Sequence, residues 1–283
     1  GGAVRALVEQ KGLEDGVRVA LVEVVIGHFD QAIALNSEFA LAYYNRGNAY
    51  YDRRDYDRAI QDYNQALKIN PNYALAYYDR GVVYYDRHDY ERAVADLNKA
   101  IELDPKDSLA YYNRGLTFRA MGDHDKSLSD FDQSIKLDPK NPLPYYNRGL
   151  AARDKGDLDR AIESYDQVIK LNPANAQALH DRGVARYEKH DYERAIADFD
   201  RVVEREPGFA PVYFRRGLAY YTKQETDRAL ADFDRSIARD ASFAECFHYR
   251  GLAYRRKGDN ARALADFNES IATMRQAFGN QVI

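Results

Sequence analysis

The stretch "LAYYNRG" at residues 41–47 decides the fold, because the chain repeats it at a constant interval. It returns as "LAYYDRG" at 75, "LAYYNRG" at 109 and "LPYYNRG" at 143, and then in divergent form as "QALHDRG" at 177, "PVYFRRG" at 211 and "ECFHYRG" at 245. Each copy begins 34 residues after the one before it. A fixed period of this length is typical of architectures in which one supersecondary unit is stacked many times.

Each 34-residue unit has the pattern of two amphipathic helices. With Ala40 numbered as position one, Tyr43, Gly47 and Tyr50 form one stripe at helical spacing, and the segment 59–67 forms a second stripe. Position twenty is alanine or serine in every copy, which predicts close contact between the two helices. Position eight is glycine in all seven copies, and we predict that these glycines are packing residues that let the two helices approach: Gly47, Gly81, Gly115, Gly149, Gly183, Gly217 and Gly251.

The segments that separate the helices carry start and stop signals. An aspartate suited to a helix N-cap precedes the second helix, and a proline that cannot continue a helix follows it. The expected caps are Asp55, Asp89, Asp123, Asp157, Asp191 and Asp259, and the prolines are Pro71, Pro105, Pro139, Pro173 and Pro207.

The period and these residues resemble the tetratricopeptide repeat, whose motif is carried here by "YYNRGNAY" at 43–50, by Ala59 and Tyr63, and by Pro71. The resemblance covers seven repeats. The chain departs from the motif where an arginine replaces the usual leucine, and at Ala152, Leu179, Arg186, Ala241 and Arg275. The resemblance implies an all-α, right-handed superhelical solenoid of tandem helix-turn-helix repeats, in which the first helices line a concave binding groove.

The repeats divide the chain into three predicted segments: a degenerate N-terminal helical repeat or cap at 1–39, seven tandem repeats at 40–277, and a C-terminal tail at 278–283. "VIGHFDQAIALNS" at 25–37 aligns, one period earlier, with "AIQDYNQALKINP" at 59–71. We therefore expect an eighth second helix before the array, with a partner helix within residues 3–24.

Position seven is arginine in all seven copies, and an aspartate follows it sixteen residues later in six of them. In the tetratricopeptide family this position faces the interior of the repeat. We therefore predict a ladder of Arg–Asp pairs that fixes the register of the helices, with Ser164 interrupting one pair.

Two polar and aromatic rows on the first helices are candidates for ligand binding. Position five is mostly aromatic, and it either contacts ligand or packs between adjacent first helices. Position six carries asparagines that resemble the ladder with which the repeat domain of O-linked N-acetylglucosamine transferase holds peptide backbones; the other interpretation is a solvated polar row. The candidate groove residues are Tyr44, Asn45, Asn48, Tyr51, Tyr78, Asp79, Tyr85, Tyr112, Asn113, Arg119, Tyr146, Asn147, Arg153, His180, Asp181, Tyr187, Phe214, Arg215, Tyr221, His248 and Arg255.

Charge on these rows differs between the ends of the array. The first two repeats contribute Asp52, Asp79 and Asp86 and no basic residue, whereas the last two contribute three arginines against Glu245. A ligand is therefore expected to place basic groups near the early repeats and acidic groups near the late ones. The Lys, Arg and Asn set of a chaperone-tail clamp is not present in successive repeats.

Composition excludes several classes of function. A net charge of −4 and a pI near 5.9 make nucleic acid and anionic membranes poor partners. The apolar run at 19–27 is too short and too charged to span a bilayer. Cys246 is the single cysteine, which excludes an intramolecular disulfide and a cysteine-rich zinc site, and fits a cytoplasmic location. The opening "GGAV" lacks methionine, so a processed exported form also stays open.

No cofactor or catalytic site is expected, because the six histidines are scattered and none forms an HExxH motif. The sequence favours a non-enzymatic scaffold that binds a protein or an extended peptide. Two alternatives stay open: self-assembly through uncapped solenoid ends, and service as the substrate-recruiting arm of a larger enzyme.

Overall fold

A computed structural model of the protein describes residues 15–278, with side chains over 20–276. Within that range the chain forms fifteen α-helices and no β-strand, which confirms the predicted all-α fold class. The chain divides into two compact units, Gly1–Pro144 and Tyr145–Ile283. Both are built from the same 34-residue helix pair, in which a first helix packs against a second.

The first unit contains one leading helix and three helix pairs, which are repeats one to three. Neighbouring helices in the chain are neighbours in space. The helices are α1 (Asp15–Leu35), then α2 (Ala40–Asp52) with α3 (Tyr56–Ile69), α4 (Ala74–Asp86) with α5 (Tyr90–Leu103), and α6 (Ser108–Ala120) with α7 (His124–Leu137).

The second unit contains repeats four to seven, and the boundary between the units falls in the first turn of α8. The last helix is longer than the other second helices. The helices are α8 (Pro142–Lys155) with α9 (Leu158–Leu171), α10 (Ala176–Glu188) with α11 (Tyr192–Arg205), α12 (Ala210–Thr222) with α13 (Thr226–Arg239), and α14 (Ala244–Arg256) with α15 (Asn260–Phe278).

The position-eight glycines allow the two helices of a repeat to touch, which confirms their predicted role. A Cβ atom built on Gly47 would lie 2.8 Å from Cε1 of the Tyr63 ring, and one on Gly183 would lie 2.6 Å from Cε1 of the Phe199 ring. Those rings are fully buried, so they have no room to move away. Only a residue without a side chain fits at this crossing.

The turns between the helices follow the predicted signals. All six expected aspartates accept a hydrogen bond from the backbone N–H three residues later, so all six are N-caps. Position fifteen, in the same turn, has a left-handed backbone in every repeat. Glycine occupies it at 122, 156 and 258, whereas Arg54, His88, His190 and Gln224 hold φ values of 60° to 64°.

The predicted Arg–Asp ladder is present in all six complete repeats. The Arg216 Nε and Nη2 atoms, for example, donate to the two carboxylate oxygens of Asp232, each at 2.7 Å. Ser164 interrupts the ladder as expected, and Arg148 Nε donates instead to its hydroxyl at 2.9 Å. The complete pairs are Arg46–Asp62, Arg80–Asp96, Arg114–Asp130, Arg182–Asp198, Arg216–Asp232 and Arg250–Asp266.

Each of these arginines also has a second partner, on the preceding second helix, which the sequence analysis missed. Arg80 Nη1 donates to Asn64 Oδ1 at 2.5 Å, and Arg250 Nη1 donates to Asp234 Oδ1 at 2.7 Å. One guanidinium thus bridges two successive repeats, because its five donors in a planar fork can serve two acceptors at once. Position twenty-five, which supplies this acceptor, is asparagine or aspartate in every repeat.

Helix α1 stands where a second helix stands in later repeats. Its Asp30 accepts from Arg46 Nη1 at 2.6 Å, and its Val22 and Ile26 are buried against α2 and α3 residues such as Tyr50. The expected partner helix within residues 3–24 is not found over 15–24, because those residues continue α1 as a single helix. Residues 1–14 lie outside the described part of the chain, as does the predicted tail beyond Phe278.

Candidate functional site

The first helices of each unit share a face that we call the first-helix face, defined as positions two, five, six, nine, twelve and thirteen of each repeat. In the first unit, its most exposed apolar residues are the leucines of position two. Leu41, Leu75 and Leu109 are 47%, 51% and 47% exposed. These leucines are not among the groove residues predicted from the sequence, although each is the first letter of the repeated phrase.

Position-five side chains contact adjacent first helices, as the packing interpretation of this row expects. In the first unit, the Tyr44 hydroxyl donates to Asp79 Oδ2 of the next repeat at 2.7 Å. Asn113 Nδ2 donates to the Tyr78 hydroxyl at 2.9 Å across the following pair of repeats. The Tyr44 ring also lies 4.9 Å from that of Tyr73, between centroids. These tyrosines keep only part of their surface for a ligand.

The two groups that form the contact between positions five and six have shifted pKa values. The pKa of the Asp79 carboxyl is raised to about 6, chiefly by burial; the nearby charges of Asp107 and Asp52 also raise it, and the hydrogen bond from Tyr44 lowers it. Burial and the Asp79 charge also raise the pKa of the Tyr44 hydroxyl. The carboxylate is therefore held in an apolar, acidic part of the face, where a cationic group would stabilise it.

The second unit uses the same contact with a different charge environment. The Tyr146 hydroxyl donates to Asp181 Oδ2 at 2.5 Å, and Gln177 Nε2 donates to the same oxygen at 3.2 Å. His180 Nδ1 lies 3.1 Å from Asp181 Oδ1, and Arg153 Nη1 lies 3.8 Å from it. Burial raises the pKa of Asp181, but the hydrogen bonds from His180, Tyr146 and Gln177 outweigh it, so the pKa is lowered. Asp181 is thus satisfied within the fold.

Three predicted groove residues are buried, and we leave them out of the candidate site. Asn48 accepts from the Tyr63 hydroxyl at 2.5 Å inside the first repeat. Phe214 packs among rings, with the Phe243 centroid at 4.6 Å and the Tyr249 centroid at 5.8 Å. Asp181 is the third. Each side chain contacts its own or the next repeat, so little of its surface is left on the first-helix face.

The position-six amides are partly occupied by the protein itself. Asn45 Nδ2 donates to the Leu41 carbonyl at 2.8 Å, and Asn113 Nδ2 donates to the Leu109 carbonyl at 3.0 Å in addition to Tyr78. Their Oδ1 atoms have no hydrogen-bond donor among the described residues, so they can accept. Asn45 and Asn113 therefore offer hydrogen-bond acceptors to a ligand.

Positions twelve and thirteen repeat the same inter-helix contact at the other end of the first helices. The Tyr51 hydroxyl donates to Asp86 Oδ2 at 2.8 Å in the first unit. In the second unit, Arg256 lies over the Tyr221 ring at 3.6 Å and donates to the Tyr221 carbonyl at 2.5 Å. Seven further predicted residues of the first-helix face are half-buried or exposed on their own units. They are Tyr85, Tyr112, Arg119, Asn147, Tyr187, His248 and Arg255.

Residues 15–278 contain no metal-binding cluster and no membrane-spanning helix. No group of three histidine, cysteine or acidic side chains in that range is arranged to hold a metal ion. None of the described helices is long and apolar enough to cross a membrane. Cys246 is buried, and burial raises the pKa of its thiol to about 12, which suits a structural rather than a reactive cysteine.

Comparison with known proteins identifies the class. Sequence profiles of the tetratricopeptide repeat match residues 28–61, 47–87, 83–122, 108–141, 146–211, 180–245 and 214–277. These matches cover nearly all of the predicted array. The chain therefore belongs to the tetratricopeptide repeat family. A search of curated protein sequences finds no match.

Solved structures of the same fold resemble the chain. MamA is 26% identical with a TM-score of 0.55, over 58% of this chain and 95% of its own. YrrB, described as a repeat protein with an unusual peptide-binding site, is 22% identical with a TM-score of 0.60, over 66% and 97%. The C-terminal part of a repeat-containing protein from Cytophaga hutchinsonii is 19% identical with a TM-score of 0.71, over 81% and 95%.

Proposed function

We propose that the protein is a non-catalytic scaffold that binds extended peptide segments of partner proteins on the first-helix face. The observation that carries this proposal is the leucine row of the first unit. Leu41, Leu75 and Leu109 recur at the repeat interval, stay half exposed, and stand beside half-buried tyrosines. Apolar residues arranged in line with aromatic neighbours are typical of recognition surfaces rather than of solvated helices.

The polar groups of the face suit a peptide backbone. The Oδ1 atoms of Asn45 and Asn113 are free to accept from the N–H groups of a ligand, because the Nδ2 atoms already donate to the helix. Fixing each carboxamide in this way removes rotational freedom before the ligand arrives, which lowers the entropic cost of binding. The leucines supply affinity for apolar side chains, and the amides supply contacts that any sequence can make.

Charge supports a basic ligand for the first unit. Among the described residues, Asp79 and Asp86 accept hydrogen bonds only from tyrosines, and no described lysine or arginine forms an ion pair with them. In the second unit, the exposed Arg255 has no acidic partner in the described range, and Arg256 is bound to a carbonyl. A peptide on the first unit is therefore expected to carry lysine or arginine, and one on the second unit to carry acidic residues.

The test is selection of peptides from a phage-displayed library on the intact protein, followed by affinity measurement on a triple variant. Leu41→Ser, Leu75→Ser and Leu109→Ser together should weaken peptides bound to the first unit by about 1 kcal/mol per leucine covered. Full burial of a leucine is worth about 1.5–3 kcal/mol, and half of each side chain is already covered.

A matched control separates binding from stability. Leu35, 90% exposed at the end of α1, and Met121, 44% exposed in the turn before α7, lie off the first-helix face. Leu35→Ser with Met121→Ser should leave both affinity and melting temperature unchanged. Selected peptides that bind the triple variant as tightly as the wild type would contradict the proposal.

A second candidate function is self-association through the last helix, favoured by two exposed apolar residues. In repeat six, Leu230 is 9% exposed and Ile237 packs in the core with it, whereas their counterparts Leu264 and Ile271 on α15 are 62% and 46% exposed. A second copy could cover this face as the next repeat does elsewhere. Light scattering should then show a dimer that Leu264→Lys abolishes; a monomer at all concentrations would exclude it.

A further inference from the structure

Unlike the other half-buried arginines, Arg215 has no hydrogen-bond or ion-pair partner in the part of the chain that the structure describes. It occupies position six of repeat six, where other repeats carry an asparagine, an aspartate or Tyr249. Among the described residues, its guanidinium makes no hydrogen bond or ion pair, and its single close contact is with the Phe214 ring, at 5.8 Å. A half-buried, unpaired cation is costly unless an anion joins it, so this position points to a ligand.

A cavity of about 350 Å³ in the second unit includes this arginine. Phe214 and Leu218 are its buried apolar lining, and Met274 contributes a third apolar side chain from α15. Arg215 and His248 bring the basic groups, and Glu245 the acidic one; neither His248 nor Glu245 has a hydrogen bond or salt bridge within the described chain. The cavity is therefore apolar on one side and carries an uncompensated guanidinium on the other.

We propose that this cavity binds a carboxylate that lies next to an aliphatic side chain. The guanidinium offers a planar pair of donors that matches a carboxylate, and the Phe214, Leu218 and Met274 side chains would cover the aliphatic group. The inference rests on the proposed function, since the carboxylate would belong to a bound peptide. Two sources have this chemistry: an internal Glu-Leu pair, and a C-terminal leucine with its free carboxylate.

The chain contains two methionines, which makes the cavity directly observable. Met274 lines the cavity in the second unit, and Met121 is exposed in the first. With ¹³C-methyl methionine labelling of the full chain, an NMR titration should move the Met274 signal and leave the Met121 signal in place. The probes are three eight-residue peptides: an amidated peptide with one internal Glu-Leu pair, the same peptide with Gln-Leu, and a Gln peptide that ends in leucine with a free carboxylate.

The expected result is a saturable Met274 shift with the Glu-Leu peptide, the free-carboxylate peptide or both, and none with the amidated Gln-Leu peptide. Arg215→Gln should weaken binding about tenfold or more, because a hydrogen bond to a charged group is lost. Glu245→Gln should strengthen it a few-fold by removing repulsion. Arg54→Gln, an equal charge change at an exposed arginine of the first unit, should have no effect.

Several outcomes would overturn the inference. They are equal binding of the Glu and Gln peptides, equal binding by Arg215→Gln and the wild type, or no Met274 shift with any probe. Arg215 bonds to no other described residue, so its replacement should not lower the melting temperature, and a loss of binding would then not reflect unfolding. Library peptides that still depend on the leucine row of the first unit would preserve the proposed function if the cavity failed.

Discussion

Replacing Gly115 with alanine tests the packing of the repeat more sharply than a larger substitution does. Inside a solvated helix, glycine to alanine stabilises by about 0.5–1 kcal/mol, because glycine loses more backbone freedom on folding. At Gly115, the new Cβ would lie 2.8 Å from Cε1, 3.0 Å from Cδ1 and 3.2 Å from Cζ of Phe131. Phe131 is fully buried, so the ring cannot move aside without disturbing its neighbours.

The steric overlap with Phe131 should make this substitution destabilising, whereas glycine to alanine is usually stabilising in a helix. Overpacking of this kind costs about 1–3 kcal/mol, which exceeds the gain in helix propensity, so Gly115→Ala should destabilise the first unit by about 1 kcal/mol. Gly27 in α1 is the matched control in the same unit, because a Cβ there meets no atom within 4 Å. Gly27→Ala should therefore stabilise the unit by about 0.5–1 kcal/mol.

Removing the Phe131 ring should restore the usual stabilising effect of the glycine-to-alanine substitution. In a Phe131→Ala background, which itself costs about 3–5 kcal/mol, Gly115→Ala should become stabilising, and the coupling between the two sites should be about 2 kcal/mol. The assay is urea unfolding followed by circular dichroism, with a constant concentration of trimethylamine oxide to hold the weakened variants folded. Midpoints and slopes are compared separately, since repeat arrays need not unfold in two states. Equal stabilisation by Gly115→Ala and Gly27→Ala in the native background would refute the close-packing argument.

Three further predictions concern charge and backbone. Asp198→Ala should cost about 3–5 kcal/mol in urea unfolding, because it leaves Arg182 and Arg186 without their buried carboxylate. Ser164→Ala should cost less than about 2 kcal/mol, and an equal loss of stability in the two variants would contradict the prediction. The Asp79 pKa of about 6 lies above its ordinary value near 3.9, so its ionisation destabilises the fold as pH rises from about 4 to 6. Asp79→Asn should therefore melt higher than the wild type at pH 7.5, by an advantage that disappears near pH 4; a constant difference across that range would contradict the pKa. Gln224→Gly should raise stability by about 1 kcal/mol, because φ is 64° there, and a lower melting temperature would show that the Gln224 side chain compensates for this backbone.

The sequence predicts the rows of residues that make up much of the candidate site, but it does not predict the contacts between those residues. The repeated tyrosines, asparagines and leucines mark one face of each first helix. Whether a tyrosine on that face binds ligand or the next helix depends on the distance between repeats, which the sequence does not contain. The Tyr44 bond to Asp79 joins residues 35 apart, and that spacing becomes evident only once the helices are placed. The same distances bury Phe214 and leave Arg215 without a partner among the residues that the structure describes.

The sequence by itself determined the helix pair, its caps and its close crossing. Asp55 is a cap, Ala59 is small and Gly47 lacks a side chain for reasons that act within a single repeat, and a seven-fold recurrence makes those reasons unmistakable. The tertiary structure alone decided which side chains are left for a ligand. The exposure of a side chain depends on how much of it the neighbouring repeats cover. Leu75 is half exposed and Asn48 is buried because of this packing, which the local sequence pattern does not specify.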